Sequence, residues 1–241
     1  MRRNSADVFL RYLGAQASSV EKPGLQQKPA ITISRQSGAG ALTVANLVAE
    51  QLDLTHQGDP PYPWAVFDRN LAHRILEDHQ LSTEMVRHIP EDAKLPLTDA
   101  LESALGLHPS FWQLRQHTVE TIRRLAMRGN VILVGRGAGA ITAHLPHVLH
   151  VRLVAPLADR VQNFAQYHQL TQDKAARLVR ETDEQRRRFH RTYFAVDSDD
   201  SIHYDLTINT GRCGFERAAR MIVNLLIEKM PELQQQQATH A

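Results

Sequence analysis

The residues best suited to chemistry lie in one stretch, Arg35-Gln36-Ser37-Gly38-Ala39-Gly40-Ala41-Leu42-Thr43. Two glycines within three residues permit a turn whose backbone N–H groups converge on one point. Behind it, from Thr43 to Leu52, apolar residues recur at helical spacing. A helix N-terminus adds partial positive charge, so the stretch suits an anion, phosphate first among them. The phosphate-binding pattern G-x-x-x-x-G-K-[ST] is met in part. Arg35 falls on its first glycine, Gly40 on its second and Ala41 on its lysine, and Thr43 offers a hydroxyl to a metal-bound phosphate. A tight packing turn with no ligand is the alternative for the same residues.

Arginine recurs where such an anion would need it. Of the 28 basic residues, 5 are lysine and 23 arginine. The planar guanidinium fork matches phosphate and carboxylate oxygens, although GC-rich codons also enrich arginine, so position must decide. Asp68-Arg69 follows the apolar run Trp64–Phe67, and Gly135-Arg136-Gly137-Ala138 follows Val131–Val134. With Arg35, three strand ends carry arginine. For each alone, a surface ion pair or a helix cap is the more ordinary reading; arginine at three strand ends out of three, Arg35, Arg69 and Arg136, is harder to dismiss. A fourth cluster is Glu181 to Arg191, with Arg186, Arg187 and Arg191 on one helix. Arg187 and Arg191 are one turn apart, a face that can close over a phosphoryl group. The alternative is a solvated helix in which Asp183 pairs with Arg187. The acidic run Asp197–Ser201 reads as a mobile lid edge.

The elements that must position these residues alternate. Strands are expected at 30–34, 64–67, 131–134, 148–153 and 206–209. Helices are expected at 43–52, 71–80, 111–128, 156–168, 171–191 and 215–229, with a short one from Ser82. This alternation implies a parallel sheet of about five strands wrapped by helices, an α/β three-layer domain. Ligands of such sheets bind beyond the carboxyl ends of the strands, where the loop and the arginines fall. Residues 1–29 read as an N-terminal appendage and linker, 30–230 as the folded domain. Residues 231–241 read as a flexible tail, with Pro231 ending the last helix.

Composition narrows the function classes. The chain has 241 residues and a formal net charge of +2, unlike a protein that coats polyanions. One cysteine, Cys213, leaves no disulfide framework and no multi-cysteine metal site. No apolar run reaches the roughly 18 residues that span a bilayer, and the first residues lack a secretory core. A cytoplasmic enzyme-sized domain with no membrane and no nucleic-acid partner is expected. The 13 histidines show no H-E-x-x-H spacing, and G-x-S-x-G is absent. Oligomeric state is not legible.

Five segments together resemble the cytidylate-kinase-like family of P-loop nucleoside monophosphate kinases. Ile31 to Gly40 resembles its opening I-S-R-x-x-G-S-G-G, and Phe67-Asp68-Arg69-Asn70-Leu71 its Y-D-R-E-L/I. Gly129 to Ala138 resembles its G-N-x-V-I-V-G-R-G-A strand, and Arg187 to Phe194 its lid ending in Y-F. Tyr204 to Thr210 resembles its Y-D-L-x-I-N-T strand. The resemblance implies a P-loop kinase-like domain with a helical lid. It implies phosphoryl transfer from ATP, with Mg²⁺, to a small phosphorylated acceptor, cytidylate first. On the matching positions it puts ATP at Arg35, Ser37, Gly38, Ala39, Gly40, Ala41, Leu42 and Thr43, with Thr43 toward Mg²⁺. The acceptor falls at Asp68, Arg69 and Arg136, and the catalytic clamp at Arg186, Arg187 and Arg191. A non-catalytic nucleotide sensor with a degenerate loop, signalling through the appendage, is the second reading; turnover separates the two.

Overall fold

The structure, a computed structural model, describes residues 28–55, 63–68 and 111–239. The expected helix at 71–80, the short one from Ser82, and Arg69 lie outside the described residues. Five strands form one parallel sheet: β1 (Ala30–Arg35), β2 (Ala65–Phe67), β3 (Val131–Val134), β4 (Val148–Val154) and β5 (Leu206–Asn209). Their order is β2-β3-β1-β4-β5, with Ile31 level with Ile132 on one side and Leu149 on the other. β1 is central and leads directly into the glycine-rich loop.

β-branched residues dominate the middle strands because both faces are covered; Val131 to Val134 are all buried. One face packs on α1 (Ala41–Thr55) and a C-terminal helix, α7 (Phe215–Thr239). Val44, Val48 and Leu52 meet Ile222 and Leu226 over Ile31, Ile33 and Val151 there. The other face packs on α2 (Phe111–Arg128) and the four-residue α3 (Ala138–Ile141), through Ile122, Leu125 and Ile141 over Phe67 and Leu133. A hairpin of α4 (Leu157–His168) and α5 (Gln172–Phe194) leaves the sheet after β4. Its own small core is Val161, Ala165, Ala175 and Val179. A single turn, α6 (Thr210–Cys213), links β5 to α7.

Two differences from the sequence expectation have local causes. α7 continues through Pro231 to Thr239; a proline removes one i→i−4 bond, and the turns on either side carry the helix past it. The acidic run 197–201, expected as a mobile lid edge, is fastened down. Ser198 is buried, its carbonyl accepts from the Tyr204 hydroxyl at 2.9 Å, and Asp199 pairs with Arg152. Among the described residues, no helix is long and apolar enough to cross a membrane.

Candidate functional site

The loop leaves β1 at its buried centre and is held from three sides. Gln36 N–H donates to Leu153 O, and Gln36 Oε1 accepts from Ala155 N–H at 3.1 Å, tying the loop to the end of β4. Thr210 donates its hydroxyl to Ala39 O at 3.0 Å. From α4, Arg160 Nη1 donates to Ser37 O and Asn163 Nδ2 to Gly38 O, each at 3.2 Å. Gly38 (φ 80°) lies against the backbone of Arg160, and Gly40 (φ 78°) against the ring of Phe215. Any Cβ at either glycine would collide, and the left-handed φ would strain it besides.

Val44 N–H to Gly40 O, 2.9 Å, is the first bond of α1. The amides of Ala41, Leu42 and Thr43 therefore have no intrahelical acceptor. They open on a cleft of 680 Å³ that Arg35, Asp68, Asn163 and Arg186 also line. Earlier loop amides are already engaged: Ala39 N–H donates to Gln36 O, and Ser37 N–H to Asp183 Oδ1 at 2.6 Å. The other oxygen of Asp183 accepts from Arg160 Nη1 at 2.5 Å. Arg160 thus holds both a loop carbonyl and the carboxylate that holds the adjacent amide.

The turn after β3 repeats the same economy. Gly135, Arg136 and Gly137 are all left-handed, at φ 81°, 55° and 71°. Gly135 leaves room for the Arg35 guanidinium and Gly137 for the Phe194 ring. Arg35 Nη2 reaches Asp68 Oδ1 at 3.8 Å across the edge of the sheet. Arg136, a non-glycine in a left-handed position, is the kind of strained residue found at functional sites.

A second cavity of 390 Å³ lies on the α3 side of the sheet, lined by Arg136, His150, Arg152, His190 and Tyr204 among others. Arg35 and Arg186 line both cavities. Arg152, buried, is fixed by Ser34 Oγ at 2.9 Å, by Asp199 and by the face of the Tyr204 ring. Burial, then the charges of Arg152, Arg35, Arg186 and His203, push His190 down to about 4, so its imidazole is neutral at pH 7.

The residues expected from sequence are partly brought together. The loop from Ser37 to Thr43, with Arg35, Asp68 and Arg186, faces the cleft; Arg136 faces the second cavity. Arg187 and Arg191 line neither. Arg187 donates to Glu184 at 2.7 Å and lies 3.7 Å from Asp199; Arg191 donates to Asp197 at 2.9 Å. Those hydrogen bonds hold Glu184 below the usual carboxylate range; Asp197 is lowered first by the Asp199 N–H, then by Arg191. The Asp183–Arg187 pairing of the alternative, solvated-helix reading does not form, because Asp183 turns inward to Ser37 and Arg160. Ala41 is buried in the main core with Val44. Sequence reasoning missed Arg160, Asn163, Asp183 as a loop ligand, Arg152 and His190. The strand Val148-Leu149-His150-Val151-Arg152 carried the one readable signal: polar residues at i and i+2 in an otherwise apolar strand.

The described residues contain no group of three metal-ligating His, Cys, Asp or Glu side chains. Mg²⁺ bound with nucleotide needs only one or two protein oxygens, the phosphates supplying the rest. The exposed Thr43 hydroxyl in the first turn of α1 and the Asp68 carboxylate line the loop cleft and fit that demand.

Comparison with known proteins agrees with this architecture. The model of the cytidylate kinase-like family matches residues 30–212. A cytidylate kinase of Staphylothermus marinus is 31% identical over 201 residues, covering 83% of this chain and 96% of its own. One of Methanopyrus kandleri is 28% identical, covering 76% and 84%. A solved structure, an uncharacterized protein from Eubacterium ventriosum, superposes with a TM-score of 0.60 at 18% identity, covering 83% of this chain and 98% of that one; it speaks to the fold. With a family match across most of its length on a five-stranded parallel sheet that opens into a glycine-rich loop, this chain belongs to the cytidylate kinase-like family.

Proposed function

We propose that this protein transfers a phosphoryl group from ATP to a small phosphorylated acceptor in the cytoplasm, a nucleoside monophosphate with cytidylate the first to test. The observation that carries the reading is the meeting of two cavities at Arg35 and Arg186, one of them built on a helix N-terminus. An acceptor phosphate has a second pKa near 6 and is already a dianion at neutral pH. The work left to the protein is to position two polyanions and offset their repulsion. On this reading the amides of Ala41 to Thr43 take donor phosphate, and Arg35 and Arg186 stand between donor and acceptor. Arg136 meets the acceptor from the other side. Mg²⁺, when bound, neutralises charge between the outer phosphates; Thr43 and Asp68 are the oxygen donors this chain offers it.

The second reading, a nucleotide sensor without turnover, has one observation in its favour. Ala41 is only 7% exposed and packs in the core, so no cation extends from the position where the phosphate-binding pattern has lysine. ADP release separates the two. The protein is incubated with Mg·ATP and, in turn, CMP, dCMP, UMP and AMP. Acceptor-dependent ADP supports the kinase. Stabilisation by Mg·ATP with no ADP from any acceptor leaves the sensor.

A further inference from the structure

The sheet face toward α3 changes character halfway across. Under α2 it is apolar, with Phe67 and Leu133. Toward β4 the second cavity is floored by Ser34, His150 and Arg152, with Thr32 beneath. α3 spans only four residues, and the roof here is the end of α5 with the 196–205 segment. Buried polar groups are costly unless bonded. Thr32 and His150 Nδ1 share a 2.8 Å bond, and Ser34 accepts from Arg152. On the two imidazoles, His150 Nε2 and His190 Nδ1 are buried without a hydrogen-bond partner.

Both rings are uncharged at pH 7. Burial lowers His150, against a smaller opposing effect of Asp205, and lowers His190 further among Arg152, Arg35, Arg186 and His203. The nearby carboxylates are engaged, Asp205 with His150 N–H and Lys229, Asp199 with Arg152. The cavity therefore offers an arginine wall for an anion and, deeper in, neutral donors or acceptors.

Gly139 adds a separate observation. Its φ is not left-handed, and a Cβ there would stand 3.6 Å from Thr32 Oγ1 and 3.9 Å from His150 Nδ1, ordinary contacts. Neither backbone nor packing requires glycine. A side chain there would enter the cavity against His150 and Thr32, and a larger one would fill part of it.

We propose that this cavity holds the body of the acceptor. His150 and His190 are the specificity-determining residues that read an uncharged hydrogen-bonding group on it, and Gly139 keeps the room for that group. The ligand class is a phosphomonoester with a compact polar body, one sugar with or without a small heterocyclic ring on it, since 390 Å³ lies near the lower end of the roughly 300–1,000 Å³ of small-molecule sites. The assignment rests on the kinase reading, because the acceptor must lie against the wall of Arg35 and Arg186 shared with the loop cleft.

The test titrates CMP, UMP, AMP, ribose 5-phosphate and inorganic phosphate into the wild type, Gly139→Val, His150→Leu and His150→Gln. Calorimetry and side-chain imidazole NMR are read together, with Mg·ATP melting shifts in parallel. At least one phosphomonoester is expected to move the His150 and His190 resonances. Its Kd should rise tenfold or more in Gly139→Val and His150→Leu, and stay within threefold in His150→Gln. Inorganic phosphate, which has no body, should bind all four alike. Should His150→Leu fail to fold, Gly139→Val carries the comparison, with Gly139→Ala as its milder form. Unchanged Kd values in the filled variants, or no probe moving either imidazole, overturn the proposal. Failure of the kinase reading shows elsewhere, as no ADP and no Mg·ATP shift in the wild type.

Discussion

Arg186 stands in the wall between the two cavities, whereas its neighbours Arg187 and Arg191 are tied to Glu184 and Asp197 outside them. A cation aimed at developing charge acts mainly in the transition state. Arg186→Ala should therefore lower kcat by about 10²–10³, the usual cost of removing one preorganised donor. Arg187, tied to Glu184 and lining neither cavity, has no such aim, so Arg187→Ala should leave kcat within about fivefold, a barrier change under about 1 kcal/mol. Steady-state kinetics of both variants with the true acceptor checks the pair; equal losses would put Arg187 back into the clamp. His190 sets a pH dependence. Its folded pKa of about 4 lies below its ordinary 6.5, so below pH 6.5 the unfolded chain binds the extra proton first. Stability is full above pH 6.5 and declines as pH falls toward 4, by about 2 kcal/mol between pH 7 and pH 5. His147 and His150, also lowered by burial, act in the same sense. Urea unfolding at the two pH values measures the loss, and His190→Gln should remove most of it.

At the scale of elements, the α4–α5 hairpin is bolted to the loop it covers. Arg160 of α4 and Asp183 of α5 grip consecutive polar groups of the loop, and their side chains are only 9% and 12% exposed. Removing one partner of a buried pair strands the other, at about 3–5 kcal/mol. Asp183→Ala should cost in that range, while Asp183→Asn, which keeps an oxygen for Ser37 N–H, should cost less. A double-mutant cycle with Arg160→Ala should show coupling of about 0.5–3 kcal/mol. In hydrogen exchange the Ser37 amide should lose protection in Asp183→Ala. An additive cycle with a protected Ser37 amide would mean that α5 does not set the loop. The same logic joins α5 to the turn after β3, where Phe194 packs on Gly137. Loop, turn and hairpin therefore form one unit, and a hairpin movement must first break Asp183 from Ser37.

For the whole molecule, ligand and fold are linked by mass action. Mg·ATP binding only the folded state should stabilise it by about 2.7 kcal/mol at 100 times its Kd. On the proposed reading, the groups that would contribute are the amides at the start of α1, with Arg35 and Arg186 lining the same cleft. A melting series in Mg·ATP reads this directly. A flat series to millimolar concentration would reduce the loop to a packing turn and remove both the kinase and the sensor.

Much of this architecture was legible in the chain itself. Short, mostly apolar runs between helical periods placed all five strands within a residue or two, because strands packed between layers of helices bury most of their side chains. Glycine pairs marked the two turns, since only glycine accepts Arg160 at Gly38 and Arg35 at Gly135 so closely. Local pattern also put Arg35 and Arg136 at the carboxyl edge and Arg186 on the helix that reaches over it. It could not separate Arg186 from Arg187, because one residue is 100° of helix, and which side faces the sheet depends on how the hairpin docks. Nor could it find Asp183, 146 positions from Ser37, or the pairing of His150 with Thr32, 118 apart. A hydrogen bond between distant residues leaves no period in the sequence. Only the folded chain, by bringing α5 over β1 and β4, decides which carboxylate holds the loop and which imidazoles are left without a partner.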